Sequence, residues 1–184
     1  MRDHVHQQIL ESQLKLYQLE YQNWRQDSLF HWHWWLMITL ILASWLVWWK
    51  LVDKRLLSWI MIYGLLLALS NCLVDVNLVN LGLYAYPHRT LYTWPGLIFG
   101  ELSIAPVTFM LIYQNSPKWR DFIIHSTMAA AVLAFVGEPI LYNAIKYELY
   151  HWSYYHSFVL YILIVAVPKL VLDLLMKAVE TNKG

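Results

Sequence analysis

The sequence predicts an all-α polytopic membrane bundle: five transmembrane helices preceded by an N-terminal amphipathic helix. Three observations predict it. Apolar residues make up 59% of the 184 and charged residues 14%, against about 25% charged in a soluble globular domain. The apolar residues gather in long stretches, and so small a soluble domain has no interior large enough for them. Tryptophan clusters bracket the first stretch, as an interfacial belt does. The net charge of +1 gives no electrostatic basis for nucleic-acid binding.

The elements follow in order. Residues 1–30 carry Leu10, Leu14, Tyr17, Tyr21 and Trp24 at alternating steps of four and three, with Gln and Glu opposite. That stripe predicts an amphipathic helix lying on the outer surface, or less simply a lid over an outer site. No basic region followed by an apolar core marks a cleavable signal in residues 1–29, so the first span is expected to direct insertion. Residues 31–184 are expected to form the five-span domain.

The first span runs about Trp32 to Trp49, with Trp34, Trp35, Trp48 and Trp49 as its belts. Its length of roughly 27 Å matches a hydrocarbon core. The second runs about Leu56 to Val74, the third Pro95 to Gln114, the fourth Asp121 to Val136 and the fifth Tyr155 to Met176. Pro139 is expected to end the fourth run, and Pro168 interrupts the fifth.

Lys50, Lys54, Arg55, Lys118, Arg120, Lys177 and Lys183 fall on one side of these spans. The other side holds Arg25, Arg89 and Lys146. The positive-inside bias predicts a multi-pass protein of the cell membrane with its N-terminus outside and its C-terminus cytoplasmic. Asp75, Glu101 and Glu138 then share the outer half of the bilayer. Ionisable groups at membrane depth are costly, which makes these three the candidate catalytic residues. Glu101 is expected about seven residues into the third span, and Arg89 or Lys146 is available to pair with the acids.

A short repeat accompanies the acids. Asp75, Asn80 and Tyr84 have the spacing of Glu138, Asn143 and Tyr147. Aromatic-rich connections follow both, with Trp94 in one and Trp152 and Tyr155 in the other. Asn80, Tyr84, Trp94, Asn143, Tyr147, Trp152 and Tyr155 are therefore the candidate substrate-binding residues. Their rings suit a cationic intermediate, whose charge an aromatic face attracts.

Cys72, the single cysteine, excludes an internal disulfide and reads as a packing residue. His31 with His33, and His151 with His156, lack metal-ligand spacing, so no metal is expected. No phosphate-binding loop, nucleophile elbow or CxxC pair is present, and no cofactor is expected. Lys169, Asp173 and Lys177 recur at steps of four and predict an ion-paired anchoring ridge.

Two resemblances rest on particular strings. Trp48-Trp49-Lys50-Leu51-Val52-Asp53-Lys54-Arg55, Leu111-Ile112-Tyr113-Gln114, Pro117-Lys118-Trp119 and Phe135-Val136-Gly137-Glu138-Pro139 resemble a family of short five-span membrane proteins of spore-forming Firmicutes. That resemblance implies a topology and no activity. Asp75, then Gly82-Leu83-Tyr84-Ala85-Tyr86-Pro87, then Gly100-Glu101 is remotely similar to lycopene-cyclase domains and membrane-bound terpene cyclases. Here Gly100-Glu101-Leu102 replaces the usual Pro-x-Glu-Glu, and the chain is shorter than the single-chain membrane cyclases. The similarity implies acid-initiated cyclisation or isomerisation of a polyprenyl lipid, with Asp75, Glu101 and Glu138 as the acids. The expected partner is thus a membrane lipid or isoprenoid, with a second copy of the chain also allowed. The alternative is a non-catalytic membrane protein that binds a lipid or membrane partner and uses its acids for helix association.

Overall fold

The computed structural model describes residues 2–181, most of them helical. Helix α1 covers Arg2–Asn23, α2 Trp32–Leu51 and α3 Leu57–Asn80. Strand β1, Tyr84–Ala85, precedes a long connection; then come α4 (Ala105–Asn115), α5 (Trp119–Val132) and α6 (Glu138–Ile145). Strand β2, Glu148–Leu149, leads into α7 (Tyr154–Thr181). Among the described residues, four helical stretches are long and apolar enough to cross a membrane: Trp32–Leu51, Lys54–Asn80, Trp119–Ile145 and Tyr154–Ala178. This is an integral membrane protein with an all-α fold.

The third expected span is shorter and composite. Pro95 and Gly96 do not start a helix, so the helical run begins at Ile98, passes through the π-helical segment Gly100–Ile104 and continues as α4. Glu101 therefore lies in the first turn rather than seven residues deep. The fourth span corrects the expected stop at Pro139. A second π-helical segment, Leu133–Gly137, joins α5 to α6 and carries the helix on to Ile145. Both π segments are followed by an X-Pro step, Ala105-Pro106 and Glu138-Pro139. Proline removes one i→i−4 hydrogen bond and crowds the preceding turn, and a widened π turn relieves that crowding. Pro168 does not interrupt α7, which runs unbroken through it.

The core joins α3, α4, α5 and α7 through Ile60, Tyr63, Leu67, Phe109, Met110, Phe122, Val165 and Leu172. Tyr63 stacks on Tyr113 at 4.5 Å and donates to the Val165 carbonyl at 3.3 Å. Leu42, Leu46, Leu65, Leu69, Leu163 and Leu174 face outward, as a lipid-solvated surface allows. Of the expected Lys169–Asp173–Lys177 ridge, the Lys169–Asp173 ion pair is present and Lys177 is exposed, but Lys169 is drawn into the core. Lys169 is buried, its ammonium 5.2–5.3 Å from the rings of Tyr113, Trp119 and Phe122 and 3.6 Å from Asp173. Cation–π contact compensates part of its desolvation.

At one end of the bundle the Gln114 amide ties the second connection to α4, accepting from Asp53 N–H and donating to the Leu51 carbonyl, both at 3.0 Å. At the other end, Tyr17, Tyr21 and Trp24 of the N-terminal stripe pack on Tyr92, while Leu10 and Leu14 stay exposed. Arg89 pairs with Glu20 at 2.8 Å and so is not the partner of the buried acids.

Two glycines separate packing from backbone strain. A Cβ on Gly64 would overlap the Met110 thioether, whereas one on Gly82 meets nothing but sits at φ +70°. Gly64→Leu is expected to cost about 1–3 kcal/mol by overpacking. Gly82→Ala should cost about 1 kcal/mol through its left-handed backbone alone, and Gly82→Asn less. Thermal unfolding in detergent ranks the three.

Candidate functional site

The start of the third helical run organises the site. Leu97 is its N-cap, and the Leu97 carbonyl accepts from the N–H groups of Gly100 and Glu101 at 2.8 and 2.9 Å. Glu101 folds back so that its Oε1 accepts from Leu97 N–H at 2.6 Å. This is the capping-box reach taken one residue later, across a π turn. Asp75 arrives from α3 and accepts from the same N–H through Oδ2 at 3.3 Å. Carboxyl groups are favoured here because the first-turn N–H groups lack intrahelical partners and carry partial positive charge.

The other oxygens are also held. Tyr84 and Tyr86 hydroxyls donate to Asp75 Oδ1 at 2.6 and 3.0 Å, and the Trp94 indole donates to Glu101 Oε2 at 3.0 Å. The Asp75 and Glu101 carboxyls meet on this one N–H, Oδ2 of one beside Oε1 of the other. Two carboxylates held this close repel, so the arrangement favours a proton between them. Gly96 makes the approach possible: a Cβ there would overlap Glu101 Oε1 and Asp75 Oδ2.

Glu138 closes the site from α6. It is 7% exposed and accepts from the Ser157 hydroxyl at 3.0 Å, which accepts in turn from the Trp152 indole at 2.8 Å. Tyr161 lines the same cavity. The three acids line one cavity of about 80 Å³, walled by Tyr84, Tyr86, Tyr147, Trp152 and Tyr161. Tyr86 and Tyr147 stack at 5.0 Å, and Tyr84 meets Tyr147 and Trp152 edge-on. Burial pushes the Tyr84, Tyr86 and Tyr147 phenols up, and Asp75 adds to the first two and Glu138 to the third. All three stay protonated donors at neutral pH.

Comparison with family models, with curated proteins and with solved structures finds no match to this chain. The site is therefore read from its own geometry.

Of the ten residues singled out in the sequence, Asp75, Glu101, Glu138, Tyr84, Tyr147 and Trp152 line the cavity. Trp94 reaches it through its bond to Glu101. Asn80, Asn143 and Tyr155 do not. Asn80 and Asn143 are exposed, and the Asn143 amide donates to the Pro139 carbonyl. Five residues along a helix is about 140° around it, so an Asn five after an inward acid faces out. Tyr155 is 65% exposed, because Ser157 and Tyr161 occupy the inward face of α7. The repeated connections meet as the antiparallel pair β1–β2, with Tyr84 opposite Leu149. Asn71, Tyr86, Ser157 and Tyr161 also line the cavity without having been singled out. The steps 71–75 and 157–161 at helical spacing were the available signal. Among the described residues no three His, Cys, Asp or Glu side chains gather as a metal site.

Gly96→Ala is expected to break the carboxyl pair, costing about 1–3 kcal/mol of overpacking and a similar amount for any carboxyl left unbonded. Gly100→Ala meets only Leu97 at 3.5 Å. It should be neutral or stabilise by up to about 1 kcal/mol. Unfolding temperatures moving in the same direction by similar amounts would contradict this geometry.

Proposed function

We propose that this protein is a membrane-embedded acid catalyst that cyclises or isomerises a polyprenyl-type lipid. The observation that supports the reading is the convergence of Asp75, Glu101 and Glu138 on one aromatic-walled cavity. The Asp75–Glu101 pair holds the proton to be delivered. Protonation of an alkene leaves a carbocation on the substrate. The faces of Tyr84, Tyr147 and Trp152 stabilise that cation while a new ring bond forms or the double bond migrates. Glu138 removes a proton from the adjacent carbon, so the reaction is redox-neutral and returns the proton count to its starting value. The cavity of about 80 Å³ is well below the usual range of about 300–1,000 Å³ for ligand pockets. The proposed substrate thus inserts only its reacting end and leaves its chain among the lipids. The lysine and arginine asymmetry favours an outer-leaflet site, with the N-terminus outside and the C-terminus cytoplasmic.

A second reading is favoured by a different observation. Each oxygen of the Asp75–Glu101 pair already has a donor from the chain itself. Such a pair serves equally as a fastener in a non-catalytic protein that binds a lipid or membrane partner elsewhere, including a second copy of the chain.

Glu101→Gln separates the two. The amide keeps the shape and accepts from Leu97 N–H, but it has no acidic proton to deliver. On the catalytic reading, lipid extracts of cells expressing the variant lose the polyprenoid product made by the wild type, and the protein still folds. Identical lipid profiles, together with a lowered unfolding temperature, would discard catalysis and leave the acids as fasteners.

A further inference from the structure

The N-terminal segment and the connection that follows the cavity residue Tyr86 meet at a pair of histidines. His33, in the first turn of α2, stacks on His88 with ring centroids 4.1 Å apart and planes within 10°. Trp32 covers the His33 ring at 3.9 Å. His88 is 7% exposed, with its Nδ1 3.4 Å from Ser28 Oγ. His88 Nε2 and His33 Nδ1 are both buried with no hydrogen-bond partner. The same connection is held by Trp24 and Trp34, whose indoles both donate to the Thr90 carbonyl at 3.2 and 3.1 Å, and by Asn23 on the Pro87 carbonyl at 3.2 Å. Two residues before His88, Tyr86 reaches Asp75.

We propose that the His33–His88 stack is an acid-sensitive latch: neutral rings hold the 86–92 connection closed against the N-terminal segment, and their protonation releases it. Neutral imidazoles stack well, whereas two imidazolium rings at this distance repel. A proton on either bare nitrogen also creates a buried N–H with no acceptor. The neighbours that act on the pair are positive in balance. Lys146, at the end of α6, acts on both rings, and His31 adds to the same sign when charged. Asp27 opposes them through its carboxylate and its main chain. Glu20 and Arg89 neutralise each other beside the latch.

The sign follows from His88. Burial first, and Lys146 second, hold its pKa below the ordinary 6.5. The released form thus binds the proton more tightly than the closed form. The closed latch is stable above about pH 6.5 and loses stability as the pH falls below it. The latch does not depend on what the cavity does.

Hydrogen exchange of the full chain in lipid nanodiscs, corrected for the intrinsic pH dependence of amide exchange, tests this. Between pH 7.5 and 5.5 the 86–92 amides should exchange about tenfold faster. Amides in the middle of α3 should not change. His33→Phe keeps the stack without its charge, and should move the midpoint down by about half a pH unit or more. Lys146→Asn should do the same; Lys146 is exposed and sits at φ 53°, a conformation asparagine tolerates, so this variant is expected to fold normally. No acceleration in the wild type would overturn the latch, as would an acceleration whose midpoint neither variant moves.

Discussion

Two carboxyl groups accepting from one backbone N–H, that of Leu97, form the contact on which the rest of this structure depends. A helix that starts inside a bundle exposes N–H groups with no intrahelical partner, and burial keeps bulk water from satisfying them. Asp75 and Glu101 satisfy the first of these groups. By doing so they tie α3 to the third helical run and draw Tyr84, Tyr86 and Trp94 inward as further donors. The connection between β1 and the third run is thereby held against the bundle. Gly96 is the counterpart of this arrangement, since any larger residue would separate the two acids.

The two π segments give the site its shape. Glu101 lies within one and Glu138 directly follows the other, and each segment is succeeded by an X-Pro step. A widened turn shifts the helical register, so the acids turn toward one cavity while the apolar residues beyond stay facing lipid. Such turns recur at functional sites because they re-aim single side chains without ending the helix. The same devices serve catalysis and fastening alike.

The fold was largely legible in the sequence. Apolar run length and the stripe through Tyr17, Tyr21 and Trp24 depend on composition and helical period alone, whereas Trp48, read as a belt residue, is buried in the core. What was not legible came from local backbone geometry and from long-range partners. Pro139 reads as a terminator unless the π turn before it is seen. Lys169 reads as a surface charge unless the rings of Trp119 and Phe122 are known to fold over it. Asn80 and Asn143 share the repeat spacing of the acids, but a five-residue step carries them to the opposite helix face. The chain's period thus marked Asp75, Glu138, Tyr84 and Tyr147 as a group, and it gave no sign that the cavity between them would be only about 80 Å³.

The central claim is that Asp75 and Glu101 hold one proton between them at the head of the third helical run. Infrared difference spectroscopy of the membrane-reconstituted protein at neutral pH tests it most directly, through the carbonyl stretch of a protonated carboxylic acid. The account predicts such a band in the wild type, weakened alike by Asp75→Asn and by Glu101→Gln, because either change removes the shared acid. A band that neither substitution weakens, or a wild-type spectrum with none, would contradict it.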